Sequence, residues 1–177
     1  MRLFLDANVI FAAAISPDGR CSALFKLASA GYCALLTSPH ALEETRRNIT
    51  AKYPQALTRL ERDLIPKLTI VGEAPITRVN WAMEMGLPLK DAPILATAVE
   101  SRADLLVTGD KTHFGSLTVS APSHHRRYKI CAACFYNSSP LGFSGNSSNG
   151  DKIRGTRYNL SVLLVRVTSN KPKISAR

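Results

Sequence analysis

The strongest constraint on the fold is an alternation. From residue 2 to about residue 117, short apolar runs take turns with segments of helical period. "RLFLDA" reads as a strand, and the whole start, "MRLFLDANVIFAAAISPDG", as a buried one. Asp6 interrupts it where a signal peptide requires an unbroken apolar stretch. "SALFKLASAG" is a short helix stopped by Gly31, and "CALLTS" is the next strand. "SPHALEETRRNITAKY" opens with Ser38 as N-cap and Pro39 at the first helical position. Leu57, Leu60, Leu64 and Leu68 recur at helical spacing in "ALTRLERDLIPKL". "TIVGE" is a brief strand, "TRVNWAMEMG" another helix, and "KDAPILATAVESRA" leads into the strand "DLLVTG". This βα alternation predicts an α/β fold, a three-layer α/β/α sandwich around a mostly parallel sheet. Ligands in that architecture sit beyond the carboxyl ends of the strands.

Charge divides the chain. Residues 1–117 hold 13 Lys+Arg against 12 Asp+Glu, whereas residues 118–177 hold 10 against the single Asp151. Of the net charge of +10, +9 therefore belongs to the tail, and it says nothing about nucleic-acid binding by the main domain. The texture changes near residue 120: "NSSPLGFSGNSSNGDKIRG" is too polar to offset its ordering entropy by burial, and only "YNLSVLLVRVT" is suited to a late strand. Two regions follow, a domain over 1–120 and a basic, irregular tail over 121–177. No apolar stretch approaches the ~20 residues that span a bilayer. Cys21, Cys33, Cys131 and Cys134 are too few and too unevenly placed for a disulfide framework. A cytoplasmic chain with free thiols is expected, with no membrane association.

Two strands end in carboxylates, Asp6 in "LFLDAN" and Asp110 in "LLVTGD". If both strands are central and parallel, both acids lie on one rim of the sheet. Asp91 stands at the mouth of the helix begun by "APILATAV", and Glu43 and Glu44 fall in the second turn of the helix opened by Ser38. Each has a plain alternative. Asp91 is a good N-cap, Glu43 and Glu44 can pair with Arg46, Arg47 and Asn48 on a solvated face, and Asp104 can complement a helix-to-strand turn. Asp6 is harder to dismiss, because a carboxylate inside "LFLDANVIFA" is costly to bury without a partner. Two converging carboxylates at ~4 Å repel by about 4 kcal/mol at an effective dielectric of ~20. Such a cluster holds protons or binds a cation. Oxygen donors alone suit Mg²⁺ or Mn²⁺ rather than zinc.

"FLDANVIFAA", "SPHALEETRRNI" and "LPLKDAPILATAVESRADLLVTGDKTHF" together resemble, in order and spacing, the PIN-domain nucleases, and within them the VapC-like toxins of bacterial toxin–antitoxin pairs. The likeness runs from residue 2 to about 117. It implies a metal-dependent ribonuclease whose acidic site comprises Asp6, Glu44, Asp91 and Asp110, both as catalytic residues and as metal ligands. Asn8 and Thr108 match polar positions that orient those carboxylates. His113 and Phe114 match a frequent ending of the last motif and are expected to be structural. The resemblance further implies an RNA substrate, a small antitoxin partner and a homodimer. The family closes its sheet with one more strand after the last acid. Here "LTVSA" or "LSVLLVRV" must supply it, or the sheet keeps a bare edge.

Three rival readings compete with this one. A dehalogenase-type phosphatase needs D-x-D where this chain has Asp6-Ala7-Asn8. Zinc binding by "HHRRYKICAAC" would draw on Cys131, Cys134, His124 and His125, which lack the usual spacing of two separated pairs. A non-catalytic RNA-binding module is the rival of another class. Its Arg126, Arg127 and Lys129 would track phosphates while Tyr128, Phe135 and Tyr136 stack on bases.

Overall fold

The computed structural model describes residues 1–114 and 163–166. The segment "LTVSA", the basic run "HHRRYK" and the Cys131–Cys134 pair lie outside the described residues. Strands β1 (Arg2–Leu5), β2 (Ala34–Thr37), β3 (Leu68–Ile70), β4 (Leu105–Thr108) and β5 (Leu163–Arg166) form one sheet in the order β3-β2-β1-β4-β5. The first four are mutually parallel, and β5 adds antiparallel to β4, with Leu105 opposite Arg166 and Thr108 opposite Leu163. "LSVLLVRV" thus supplies the strand beyond β4.

Strand alternation sorts the core onto two faces. Phe4, Leu36 and Leu106 stand side by side in register and pack against α5 (Ile76–Glu84), α6 (Ala92–Glu100) and Phe114. Leu3, Leu5, Leu35 and Val107 face the other way, onto α1 (Ala7–Ile15), α2 (Arg20–Ser29) and the side chains of Leu60 and Leu64. Central strands buried on both faces explain the unbroken apolar runs of "LFL" and "LLV". The three-layer α/β/α sandwich is the observed architecture, and no helix among the described residues is long and apolar enough to cross a membrane.

Two local expectations need correction. The start is not one long buried strand: β1 ends at Leu5, and Asp6 caps the helix α1 by accepting from the Ala7 N–H at 2.7 Å. A short apolar run cannot by itself tell a buried strand from a buried helix, and Ala12, Ala13 and Ala14 favour the helix. Nor do residues 56–68 make one helix. A 3-10 turn at Pro54–Ala56, α4 (Leu57–Arg59), a π-helical turn at Leu60–Leu64 and a further 3-10 turn at Ile65–Lys67 follow one another. Leu60 and Leu64 are buried as their spacing predicts, but Leu68 begins β3, in register with Leu35. Pro66, which cannot continue a helix, stands just before that change.

Elsewhere local chemistry and structure agree. Ser38 caps α3 (Pro39–Lys52), its hydroxyl accepting from the Ala41 N–H at 3.1 Å. Gly31 follows α2 at φ +79°, a conformation that costs glycine little. Asp104 is a structural acid: its carboxylate accepts from the Arg2 N–H at 2.7 Å and secures the entry to β4. Cys21 and Cys33 are free thiols.

Candidate metal centre

Strand ends put the acids in one place. β1 and β4 are adjacent and parallel, so Asp6 and Asp110, just past their carboxyl ends, share a rim of the sheet. The ladder continues into this rim, where the Asp6 N–H donates to the Val107 carbonyl at 3.0 Å. Asp91 arrives from the first turn of α6. It occupies the N-cap position, yet its carboxylate makes no capping hydrogen bond. Its side chain is thereby left to the site.

A polar network fixes the two strand-end acids. The Thr108 hydroxyl donates to Asp6 Oδ2 at 2.6 Å and accepts from the Asp110 N–H at 3.0 Å. Asn8 Nδ2 donates to the same Asp6 oxygen at 2.9 Å, while Asn8 Oδ1 accepts from the Gly109 N–H at 2.9 Å. Asn8 and Thr108 thus tie the two strand ends together through Asp6. Asp110 is held in turn by the N–H groups of Thr112 and His113, which donate to its Oδ1 at 2.9 and 3.1 Å.

Glu44 approaches from α3. That helix is pinned beside α1 by Thr45, whose hydroxyl donates to Ala41 O at 2.8 Å with Ala7 O only 3.2 Å away. Of the two glutamates, Glu44 is half-buried and its charge is felt at Asp6, whereas Glu43 is exposed and acts on Arg46. Arg46 itself pairs with Glu61 at 2.8 Å.

The electrostatics record the convergence. Burial pushes the Asp6 carboxyl up to about 6; hydrogen bonds from Thr108 and Ala7 pull it down, and the charges of Glu44 and Asp91 push it up again. Burial also raises Asp91, against the attraction of Lys90 and His113 and with the repulsion of Asp110. Burial acts upward on Asp110 as well, but the His113 ring and backbone and the Thr112 N–H outweigh it and hold that carboxyl below its ordinary range.

His113 is the residue that sequence reasoning set aside as structural. It lies on α7 (Lys111–Phe114), with its ring Nδ1 2.6 Å from Asp110 Oδ2 and 3.0 Å from Asp91 Oδ2. The Asp110–His113 spacing of three within a helical turn was the available signal. One ring N–H can point at only one of the two oxygens. The shorter contact takes it, and Asp91 Oδ2 stays buried without a hydrogen-bond partner.

That orphaned oxygen tests whether the site suits a cation. A buried carboxylate oxygen lacking a hydrogen bond, near a second carboxyl whose charged form burial disfavours, is what a divalent ion would satisfy. Asp91, Asp110 and His113 each offer a ligand atom, all within 4.8 Å of one another. The residues fit. By contrast, a hollow of about 320 Å³ beside α2, lined by Ser22, Phe25, Arg59 and Asp63 among others, contains none of these acids. Arg59 is committed there, donating to Ala13 O and Ser22 Oγ.

Comparison with known proteins agrees with this architecture. The fold resembles that of VapBC2 from Rickettsia felis, solved bound to a DNA fragment from their promoter, at 22% identity and a TM-score of 0.52 over 66% of this chain and 92% of that one. VapC20 of Mycobacterium tuberculosis, a Sarcin-Ricin loop cleaving toxin, is similar at 16% identity and a TM-score of 0.44, over 58% of this chain and 85% of that one. No curated protein matches the sequence. The model of the PIN domain matches residues 2–112, and the chain belongs to the PIN domain family.

Proposed function

We propose that the chain is a Mg²⁺- or Mn²⁺-dependent endoribonuclease, the toxin of a toxin–antitoxin pair, with Asp6, Glu44, Asp91 and Asp110 as its catalytic acids. The observation that carries this reading is the buried Asp91 Oδ2, left without a hydrogen bond near Asp6, whose proton affinity burial raises first and the charges of Glu44 and Asp91 raise further. When bound, the cation supplies Lewis-acid stabilisation of a phosphoryl group and of the leaving oxygen. Everything else falls to the chain. Asp91 and Asp110 hold the ion, and Asp6 and Glu44 add the negative charge that draws it in. Thr108 and Asn8 keep Asp6 in one orientation through their hydrogen bonds, so that the acid does not have to reorganise during reaction. Hydrolysis on such a site needs no covalent protein nucleophile.

RNA as substrate, an antitoxin that covers the acidic pocket, a homodimeric assembly and a cytoplasmic setting follow from the sequence resemblance to VapC-like toxins, and are part of the same proposal. The near-neutral balance of residues 1–117 leaves the basic residues 118–177 as the stronger source of attraction for RNA phosphates. The test is a Mg²⁺ titration of RNA cleavage by the full chain and by Asp6→Asn. Cleavage should saturate with metal in the parent and fall by at least about 100-fold in the variant, the loss of a transition-state interaction worth about 3 kcal/mol. Equal cleavage by the two proteins would remove the proposal.

A further inference from the structure

Resting on the metal-dependent reading above, we propose that His113 is a nitrogen ligand of the divalent cation. The centre is then a mixed one of Asp91, Asp110 and His113, and it favours Mn²⁺ or Co²⁺ over Mg²⁺. Three observations converge on this. The three ligand atoms are already gathered, with His113 Nδ1 2.6 Å from Asp110 Oδ2 and 3.0 Å from Asp91 Oδ2. In an octahedral ion with bonds of about 2.1 Å, neighbouring ligand atoms stand about 3 Å apart. The spacing that reads as a hydrogen bond is therefore close to the spacing of adjacent ligands.

The ring is also held in place. The His113 N–H donates to Asp110 Oδ1 at 3.1 Å, and the next residue, Phe114, is buried in the core beneath α6. Nδ1 is thereby directed between the two acids, while the side chain keeps partial access to solvent, as an ion-entry route requires. Finally, the ring as it stands leaves Asp91 Oδ2 unsatisfied. A cation in contact with all three atoms satisfies every one of them. Ligation uses the Nδ1 lone pair of neutral imidazole, so a proton carried on Nδ1 moves to Nε2 or leaves to solvent as the ion enters. Imidazole suits later divalent ions, whereas Mg²⁺ selects oxygen, and the preference for Mn²⁺ or Co²⁺ follows.

The experiment uses the 177-residue chain freed of metal and loaded with Mn²⁺. Pulsed electron paramagnetic resonance should show a ¹⁴N coupling to the ion that disappears in His113→Ala. Calorimetric titration should show Mn²⁺ and Co²⁺ affinity falling by about tenfold or more in that variant, with Mg²⁺ affinity nearly unchanged. If His113→Ala fails to fold, ¹⁵N-histidine labelling of a chain carrying His40→Asn, His124→Asn and His125→Asn, in which His113 is the one histidine left, must alter the coupling. Mn²⁺ binding without a nitrogen coupling, or with one that survives in His113→Ala, overturns the proposal and leaves the nuclease reading standing. Tighter Mn²⁺ binding by His113→Ala would do the same, since the ring would then be a competitor of the ion. Failure of the parent chain to bind any divalent cation overturns both readings.

Discussion

Asp6 shows how one buried carboxyl makes the site costly without a cation. Its folded-state value of about 6 lies above the ordinary 3.8, so the folded protein binds the proton more tightly than the unfolded chain. Asp6 therefore contributes stability that is fully present below pH 4 and lost as pH rises through about 6, on the order of 3 kcal/mol. Asp91, also raised, acts in the same direction; Asp110, held low, acts oppositely and loses its contribution on acidification. In metal-chelated buffer, urea unfolding should show stability falling between pH 4 and pH 6. Asp6→Asn should flatten that slope and be the more stable protein at pH 7. Thr108→Val is a complementary test, since it removes only the hydroxyl that serves both Asp6 and the Asp110 N–H. A loss of about 1–3 kcal/mol in urea unfolding at pH 7 is expected, with unchanged m-value. The acids at strand ends were legible because a charge inside "LFLDAN" has few innocent explanations. The place of His113 beside them was not, because it depends on where a one-turn helix aims a ring.

The elements that carry these residues differ in how plainly the chain announces them. β1, β2 and β4 are apolar on both faces, and α3 is bracketed by an N-cap serine and a helix-starting proline; each is written in local chemistry. Residues 54–67 are not, because tertiary packing of Leu60 and Leu64 holds a mixture of 3-10, α and π turns that no single period describes. β5 is the element with the clearest consequence. It pairs along the whole of β4, from Leu105 to Thr108, and so covers the backbone edge next to the strand that delivers Asp110. A chain ending after Phe114 would leave that edge bare. Such a truncation should form species larger than the full chain's own assembly in size-exclusion chromatography at equal concentration. It should also unfold at lower urea, even though every candidate site residue is retained.

At the scale of the molecule, the topology sets the electrostatics. Parallel neighbours β1 and β4 release their acids on the same side, and α3 and α6 bring in one more each, so the fold concentrates negative charge at one rim of a domain with almost no net charge. A fold that gathers like charges becomes more stable when a cation binds only the folded state, by RT ln(1 + [L]/Kd), or about 2.7 kcal/mol at a hundredfold excess over Kd. For a chain of this length, that corresponds to a rise in Tm of roughly 5–10 °C. Mg²⁺ or Mn²⁺ at pH 7.5 should therefore raise Tm in steps that saturate, and NaCl at matched ionic strength should not, because screening acts on exposed charges far more than on buried ones. Asp110→Asn removes one of the proposed ligands and half of the His113 bridge, so the metal-dependent shift should shrink to the NaCl baseline. The same variant separates site binding from general screening: a shift that persists in it would mean that the ion acts elsewhere on the surface, and the acidic rim would then be a feature of charge distribution and not of chemistry.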